Sequence, residues 1–315
     1  MPHSSSTPAI EKLTDIIKES AHTLGFEKVG IAPATPLDSE ADRLDEWLHH
    51  GRHATMSWMA VRSDERKNIL NYFPEAKSVI CVGMNYFHGN ADGEMKISNY
   101  AWGDDYHVLL KERLYQLLES VKERLPDVTG VACVDTSPVM EKVWAQRAGL
   151  GWIGKHTNLI SRDYGSWLFL GELILDCELD YDDRFEEDLC GSCTACLDAC
   201  PTDAIVEDYL VDSRRCISYL TIEHRGDLPD EFAGQLGEWI YGCDICQEVC
   251  PWNQKFSQKS REPLFAPTSE IVERNPEEWS RLTEEEYRRI FRNSPVKRAK
   301  FTGLKRNIQS VLSNS

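Results

Sequence analysis

Four cysteines stand at Cys190, Cys193, Cys196 and Cys200, and Pro201 follows the last, which is the spacing C-x2-C-x2-C-x3-C-P. Thiolates in that spacing hold iron–sulfur clusters, and in two-cluster proteins the fourth cysteine of a run crosses to the other cluster. The run returns as Cys243, Cys246 and Cys250 before Pro251, with Ile240 where a first cysteine would stand. Cys216, isolated between the runs, replaces the missing ligand. One [4Fe–4S] cluster would then take Cys190, Cys193, Cys196 and Cys250, and the other Cys200, Cys216, Cys243 and Cys246. The chemistry is single-electron transfer.

Zinc is the simpler reading of any cysteine group, but zinc ribbons supply their ligands as separated C-x2-C pairs rather than four cysteines in eleven residues. Cys81, Cys133 and Cys177 lack ligand spacing and read as packing residues. No G-x-G-x-x-G follows a strand: Gly149, Gly151 and Gly154 have the spacing, but after a helix and around the bulky Trp152 and Ile153. A Walker A run is missing as well, so no motif supports a nicotinamide or a nucleoside triphosphate.

The elements that must carry these residues alternate. A helix is expected over 10–24, ended by Gly25, then a strand at 29–32 and a fully apolar strand at 78–84. A long helix over 106–124 precedes a strand at 129–134. Alternation of this kind predicts an α/β domain over residues 1–180. The acidic stretch from Asp176 to Asp188 reads as a linker into an α+β ferredoxin-like double-cluster domain over 181–265. Pro263, Pro267, Pro276 and Pro295 punctuate a helical tail over 266–315.

With 315 residues, 41% of them hydrophobic, the chain is long enough for more than one core. It has no apolar run of membrane-spanning length and no signal-peptide pattern at Met1 to Ser6, and thiolate-ligated clusters suit a reducing compartment. A soluble, cytoplasmic monomer is the expectation. The net charge of −17 argues against a polyanion partner, yet eight basic residues from Arg288 to Arg306 (Arg288, Arg289, Arg292, Lys297, Arg298, Lys300, Lys305 and Arg306) have no acid among them. That run is either a solvated face or a nucleic-acid contact.

Asp135 ends the strand at 129–134, and Ser137 and Pro138 read as the cap and first residue of a following helix. Asp135 either supports that helix start or donates a proton, since a carboxyl covered by a large apolar cofactor has its pKa raised by desolvation. Around it stand Val134-Asp135-Thr136-Ser137-Pro138-Val139, Arg147-Ala148-Gly149-Leu150-Gly151-Trp152-Ile153-Gly154-Lys155-His156-Thr157-Asn158 and Tyr164-Gly165-Ser166-Trp167-Leu168-Phe169-Leu170-Gly171-Glu172. Together with both cysteine runs, the segment Tyr100 to His107 and the segment Phe301 to Asn307, these resemble the epoxyqueuosine reductases over most of the chain.

The resemblance implies an oxidoreductase that removes the epoxide oxygen of epoxyqueuosine at the wobble position of tRNA. It implies cobalamin and two [4Fe–4S] clusters as cofactors, Asp135 as proton donor, and an unidentified low-potential electron donor. Carried over as corrin contacts are Ser98, Asp135, Asn158, Ser166, Ser218 and Asp244. Asp105-Tyr106-His107 begins a D-x-H-x-x-G cobalt-ligand motif but has Leu110 in place of the glycine, so His107 is expected to cap a helix and the cobalt to be weakly ligated. Some family members continue into a C-terminal helical-repeat domain; with this sequence stopping at Ser315, its tRNA contacts fall to the basic run. Two rivals remain, a cobalamin-dependent reductive dehalogenase acting without tRNA and a ferredoxin-like electron carrier with no turnover.

Overall fold

A computed structural model describes residues 8–232 and 234–313. Helix α1 (Pro8–Thr23) leads into strand β1 (Lys28–Pro33) and, after short helices, strand β2 (Ser78–Asn85). Helix α2 (Tyr106–Lys122), strand β3 (Gly130–Cys133), helix α3 (Glu141–Arg147) and strand β4 (Leu168–Leu175) complete the sheet and its covers. The strands lie in the order β1-β2-β4-β3.

Every neighbouring pair in that sheet is antiparallel. The α/β expectation is corrected to this extent: alternating elements were legible, but alternation says nothing about strand direction when long connections can return either way. All eight residues of β2 are buried. Its side chains alternate between two cores, as a two-residue period requires. Ile80, Val82 and Met84 pack with Ile17, Leu110 and Leu114, while Val79 and Cys81 pack with Val143, Trp144 and Ala145.

A third core joins Met95, Ile97 and Trp102 to Leu220, Ile240 and Tyr241 and to Leu304, Ile308 and Val311. Strand Lys96–Ile97 pairs in parallel with strand Trp239–Tyr241, beside which helix Lys300–Leu312 packs. The acidic stretch is irregular but pinned, since the Asp182 carboxylate accepts from the Ile31 N–H at 2.8 Å and from Lys18 Nζ at 2.6 Å. Among the described residues no helix is long and apolar enough to cross a membrane.

Candidate active site and cluster cavities

The helix expected from Ser137 begins instead at Glu141, after Met140. Asp135 has φ 52°, a left-handed conformation that aspartate tolerates better than most residues, and it turns the chain sharply at the end of β3. The Asp135 N–H donates to Glu141 Oε1 at 2.5 Å. Pro138 is buried, and the Ser137 carbonyl takes the Arg66 guanidinium at 3.2 Å. The segment 135–140 is therefore a braced loop that presents Asp135, whose side chain is 57% exposed.

His107 Nδ1 donates to Asp105 Oδ1 at 2.7 Å and Nε2 donates to Asp135 Oδ2 at 3.0 Å. Burial alone would lower the imidazole's pKa, but the hydrogen bonds to Asp105 and then Asp135 outweigh it and push it up to about 9. His107 is an imidazolium at neutral pH, with both nitrogens engaged. It keeps the expected place at the helix start, where Asp105 caps α2, and it adds a bridge between two carboxylates that the sequence did not show.

The half-buried Glu141 is pushed up by desolvation and then by the Asp135 charge. Glu172, fully buried on β4 opposite Cys81 and Cys133, has no hydrogen-bond partner among the described residues for either carboxyl oxygen. Desolvation, with Glu141 adding to it, raises its pKa well above the carboxylate range and keeps it neutral.

A cavity is lined by Tyr86, Lys142, Asn158, Leu159, Ser166, Leu168, Leu170 and Gln247. Two of the expected corrin contacts, Asn158 and Ser166, meet here. Gln247 Nε2 donates to Ser166 Oγ at 3.0 Å and Lys142 Nζ donates to Asn158 Oδ1 at 2.9 Å. Lys142 is exposed, yet desolvation lowers its pKa, as befits a side chain projecting into a deep open cleft. Ser98 and Asp244 are not among the cavity's lining residues, but Asp244 is close enough to Tyr86 to act on it electrostatically, and Ser98 and Asp244 bind each other, Ser98 Oγ donating to Asp244 Oδ1 at 2.5 Å and the Asn99 N–H to Asp244 Oδ2 at 2.7 Å. Ser218, two residues after Cys216, is close enough to its thiol to counter part of the rise that burial imposes on it. Sequence reasoning missed Tyr86, Lys142 and Gln247, although Gln247 follows a cysteine of the second run directly.

A second cavity, of about 190 Å³, is lined by Cys190, Cys193, Cys196 and Cys250 together with Lys155, His156, Ile160 and Trp252. Desolvation, and then Cys190, Cys250 and Cys193, push Cys196 up to about 11. Cys246 is raised by desolvation and then by Cys216, Asp244, Cys196 and Cys200, and Cys243 by desolvation, Cys246 and Cys216. Cys190, Cys193, Cys196 and Cys250 thus line one cavity, while Cys200, Cys216, Cys243 and Cys246 act on one another electrostatically, with Cys196 also within reach of Cys246. Proton loss at crowded, buried sulfurs is costly, and positive iron among them reverses that penalty. This donor set fits iron–sulfur clusters.

The corrin test rests on the first cavity. Leu159, Leu168 and Leu170 offer an apolar wall and Asn158, Ser166 and Gln247 offer amide and hydroxyl groups, which suits a flat apolar macrocycle with an amide fringe. The chemistry of these residues fits the rim of that group, and the cavity itself, about 80 Å³, has room for only part of it.

Of the basic run, Arg288 pairs with Glu284, Arg289 with Glu270 and Arg298 with Glu223. Arg306 is spent on the Leu220, His224 and Gly226 carbonyls, and Lys305 on those of Ser280 and Leu282. Arg292, Lys297 and Lys300 are exposed with no side-chain partner among the described residues. Lys297 is close enough to Asp105 to help hold its carboxyl ionised.

Comparison with known proteins agrees with this arrangement. Residues 189–253 match the family described as 4Fe-4S double cluster binding domain, and residues 66–136 match Epoxyqueuosine reductase QueG, DUF1730. The chain is 46% identical to epoxyqueuosine reductase of Cellulophaga algicola, over 95% of this chain and 97% of that one. It superposes with a TM-score of 0.86 at 30% identity on epoxyqueuosine reductase crystallised with an epoxyqueuosine-modified tRNA-Tyr stem loop, covering 96% of this chain and 81% of the other. The Bacillus subtilis epoxyqueuosine reductase, with a TM-score of 0.87 at 29% identity and 96% and 82% coverage, was captured with its catalytic aspartate loop swung out of the active site.

Proposed function

The chain belongs to the epoxyqueuosine reductase family, and from that premise we propose that it reduces the epoxide of epoxyqueuosine in tRNA to the alkene of queuosine, with Asp135 as the proton donor. The observation that carries the reading is the Asp135–His107 pair: an exposed carboxylate on a strand-end loop, backed by an imidazolium.

The overall change consumes two electrons and two protons, breaks both carbon–oxygen bonds of the epoxide and releases water. The proton for the departing oxygen starts on the imidazolium: Nε2 of His107 passes it across the 3.0 Å hydrogen bond to Asp135, which hands it to the oxygen. The second proton enters from solvent, to which Asp135 is open. Glu141 holds the loop by its hydrogen bond to the Asp135 N–H. Cobalamin, when bound, supplies the low-valent metal centre that the side chains lack. Asn158, Ser166, Gln247 and Lys142 would hold it by its polar fringe. The set Cys200, Cys216, Cys243 and Cys246 adjoins that cavity through Gln247 and lies within electrostatic reach of Lys142, which supports entry of electrons at the other cluster first. The exposed Arg292, Lys297 and Lys300 are the tRNA phosphate contacts.

The test is anaerobic incubation of cluster-replete protein with epoxyqueuosine tRNA and a chemical reductant, with and without cobalamin, followed by nucleoside mass analysis. Loss of one oxygen only when cobalamin is present is the expected result. No loss in either case favours an electron carrier, and cobalamin-dependent reduction of a halogenated aromatic in place of tRNA favours a dehalogenase.

A further inference from the structure

The hairpin of Trp152–Ile153 and Leu159–Ile160 carries, beside the cavity residues Asn158 and Leu159, a histidine to which the proposed chemistry gives no role. Its turn is tightly fixed. The Gly154 N–H donates to the Asn158 carbonyl at 2.9 Å, the Thr157 N–H to the Gly154 carbonyl at 2.8 Å, and Thr157 itself is left-handed at φ 66°. Lys155 Nζ pairs with Asp208 at 3.0 Å, and the Lys155 carbonyl accepts from the Tyr209 N–H at 3.0 Å. A Cβ on Gly154 would lie 2.5 Å from Ile160 Cδ1 and 3.2 Å from His156 Cε1, so only glycine lets the imidazole ring pack against the turn without displacing its neighbours.

That turn drives His156 inward, to 4% exposure, where the ring lines the cavity formed by Cys190, Cys193, Cys196 and Cys250. The Asn158 N–H donates to His156 Nδ1 at 3.2 Å, so Nδ1 is the unprotonated nitrogen and Nε2 carries the hydrogen of the neutral ring. Nε2 is buried and meets no acceptor among the described residues. A buried donor without a partner is costly, on the order of 1–3 kcal/mol, and native structures rarely leave one so. The acceptor is therefore the occupant of the cavity. We propose that His156 Nε2–H donates a hydrogen bond to a sulfur of the cluster held by Cys190, Cys193, Cys196 and Cys250, and so sets the reduction potential of that cluster separately from the other.

The sign follows from charge. Reduction adds an electron to the cluster and makes its sulfurs better acceptors, so a donor aimed at them favours the reduced state and raises the potential. The same hairpin carries Asn158 into the corrin cavity, so a single turn touches both the electron-transfer chain and the cavity it feeds.

This inference rests on the two-cluster reading, and the experiment separates them. Wild-type protein, His156→Leu and His156→Gln are prepared anaerobically, assayed for iron and sulfide, and titrated reductively while the reduced clusters are followed by electron paramagnetic resonance. With His156→Leu, one cluster should become harder to reduce, its reduction equilibrium falling on the order of tenfold, about 59 mV for a one-electron couple. The other cluster should keep its potential, and His156→Gln, which retains an N–H donor, should recover part of the shift. Unchanged potentials in an iron-replete His156→Leu overturn the inference, as does an equal shift of both clusters. A wild-type protein holding zinc or only four irons would instead overturn the cluster reading. Should His156→Leu fail to load iron, His156→Gln decides: a lowered potential for one cluster with the other's unchanged upholds a donor role, and an unchanged potential or loss of that cluster refutes a tuning role.

Discussion

At the scale of single residues, the site turns on one proton shared between Asp135 and His107. Asp135→Asn keeps the shape of the side chain and the clusters but removes the acid, and its turnover should fall by roughly 10²- to 10⁴-fold. The pH dependence has a definite sign. His107 is raised in the folded protein to about 9 from an ordinary value near 6.5, so its contribution to stability is complete below about 6.5 and is lost as pH rises through about 9. Turnover should fall over the same alkaline range as the pair loses its proton, and His107→Gln should abolish that limb of a steady-state pH profile. An alkaline limb unchanged in the variant would take His107 out of the relay. Asp135 was legible as an acid at a strand end, but its left-handed turn was not. Ser137 and Pro138 have the right types for a helix start, and the bond from the Asp135 N–H to Glu141 holds those residues in a loop instead.

At the scale of elements, the cysteine runs could be read because their ligands are close in sequence and the fold adds only the pairing of the runs. Cys216→Ala should leave about half the iron and sulfide, removing one cluster's signal and sparing the other's. Loss of both clusters together would argue against the assignment by sets. Ser98 and Asp244 show the opposite case: both were singled out, but their bond spans 146 residues and nothing local announces it. The sheet carries a liability of its own in Glu172, a buried acid on the central strand β4 with no partner among the described residues. With its folded pKa raised, the unfolded chain gains from ionisation first as pH rises above about 4.3, so this residue lowers stability at neutral pH. Glu172→Met should raise the melting temperature by an amount worth about 1–3 kcal/mol, more at pH 8 than at pH 5. A melting temperature that falls would mean the carboxyl has a partner.

At the scale of the whole molecule, a chain of net charge −17 must still approach a polyanion. Counting basic residues overstates the charge free for that, because Lys305 and Arg306 are spent on backbone carbonyls and the exposed Arg288, Arg289 and Arg298 share theirs with nearby glutamates. Replacing Arg292, Lys297 and Lys300 with alanine should raise the KM for tRNA and flatten its salt dependence, each lost phosphate contact reducing the log–log slope by roughly 0.7 to 0.9. An unchanged slope would move the footprint to another face. The central claim, that this fold delivers a proton from Asp135 to the epoxide of a tRNA-bound nucleoside, is met most directly by single-turnover nucleoside mass analysis of wild type and Asp135→Asn, both replete in iron and cobalamin. The account predicts conversion of epoxyqueuosine to queuosine by the wild type and almost none by the variant in the same time. Equal conversion by the two proteins would contradict it.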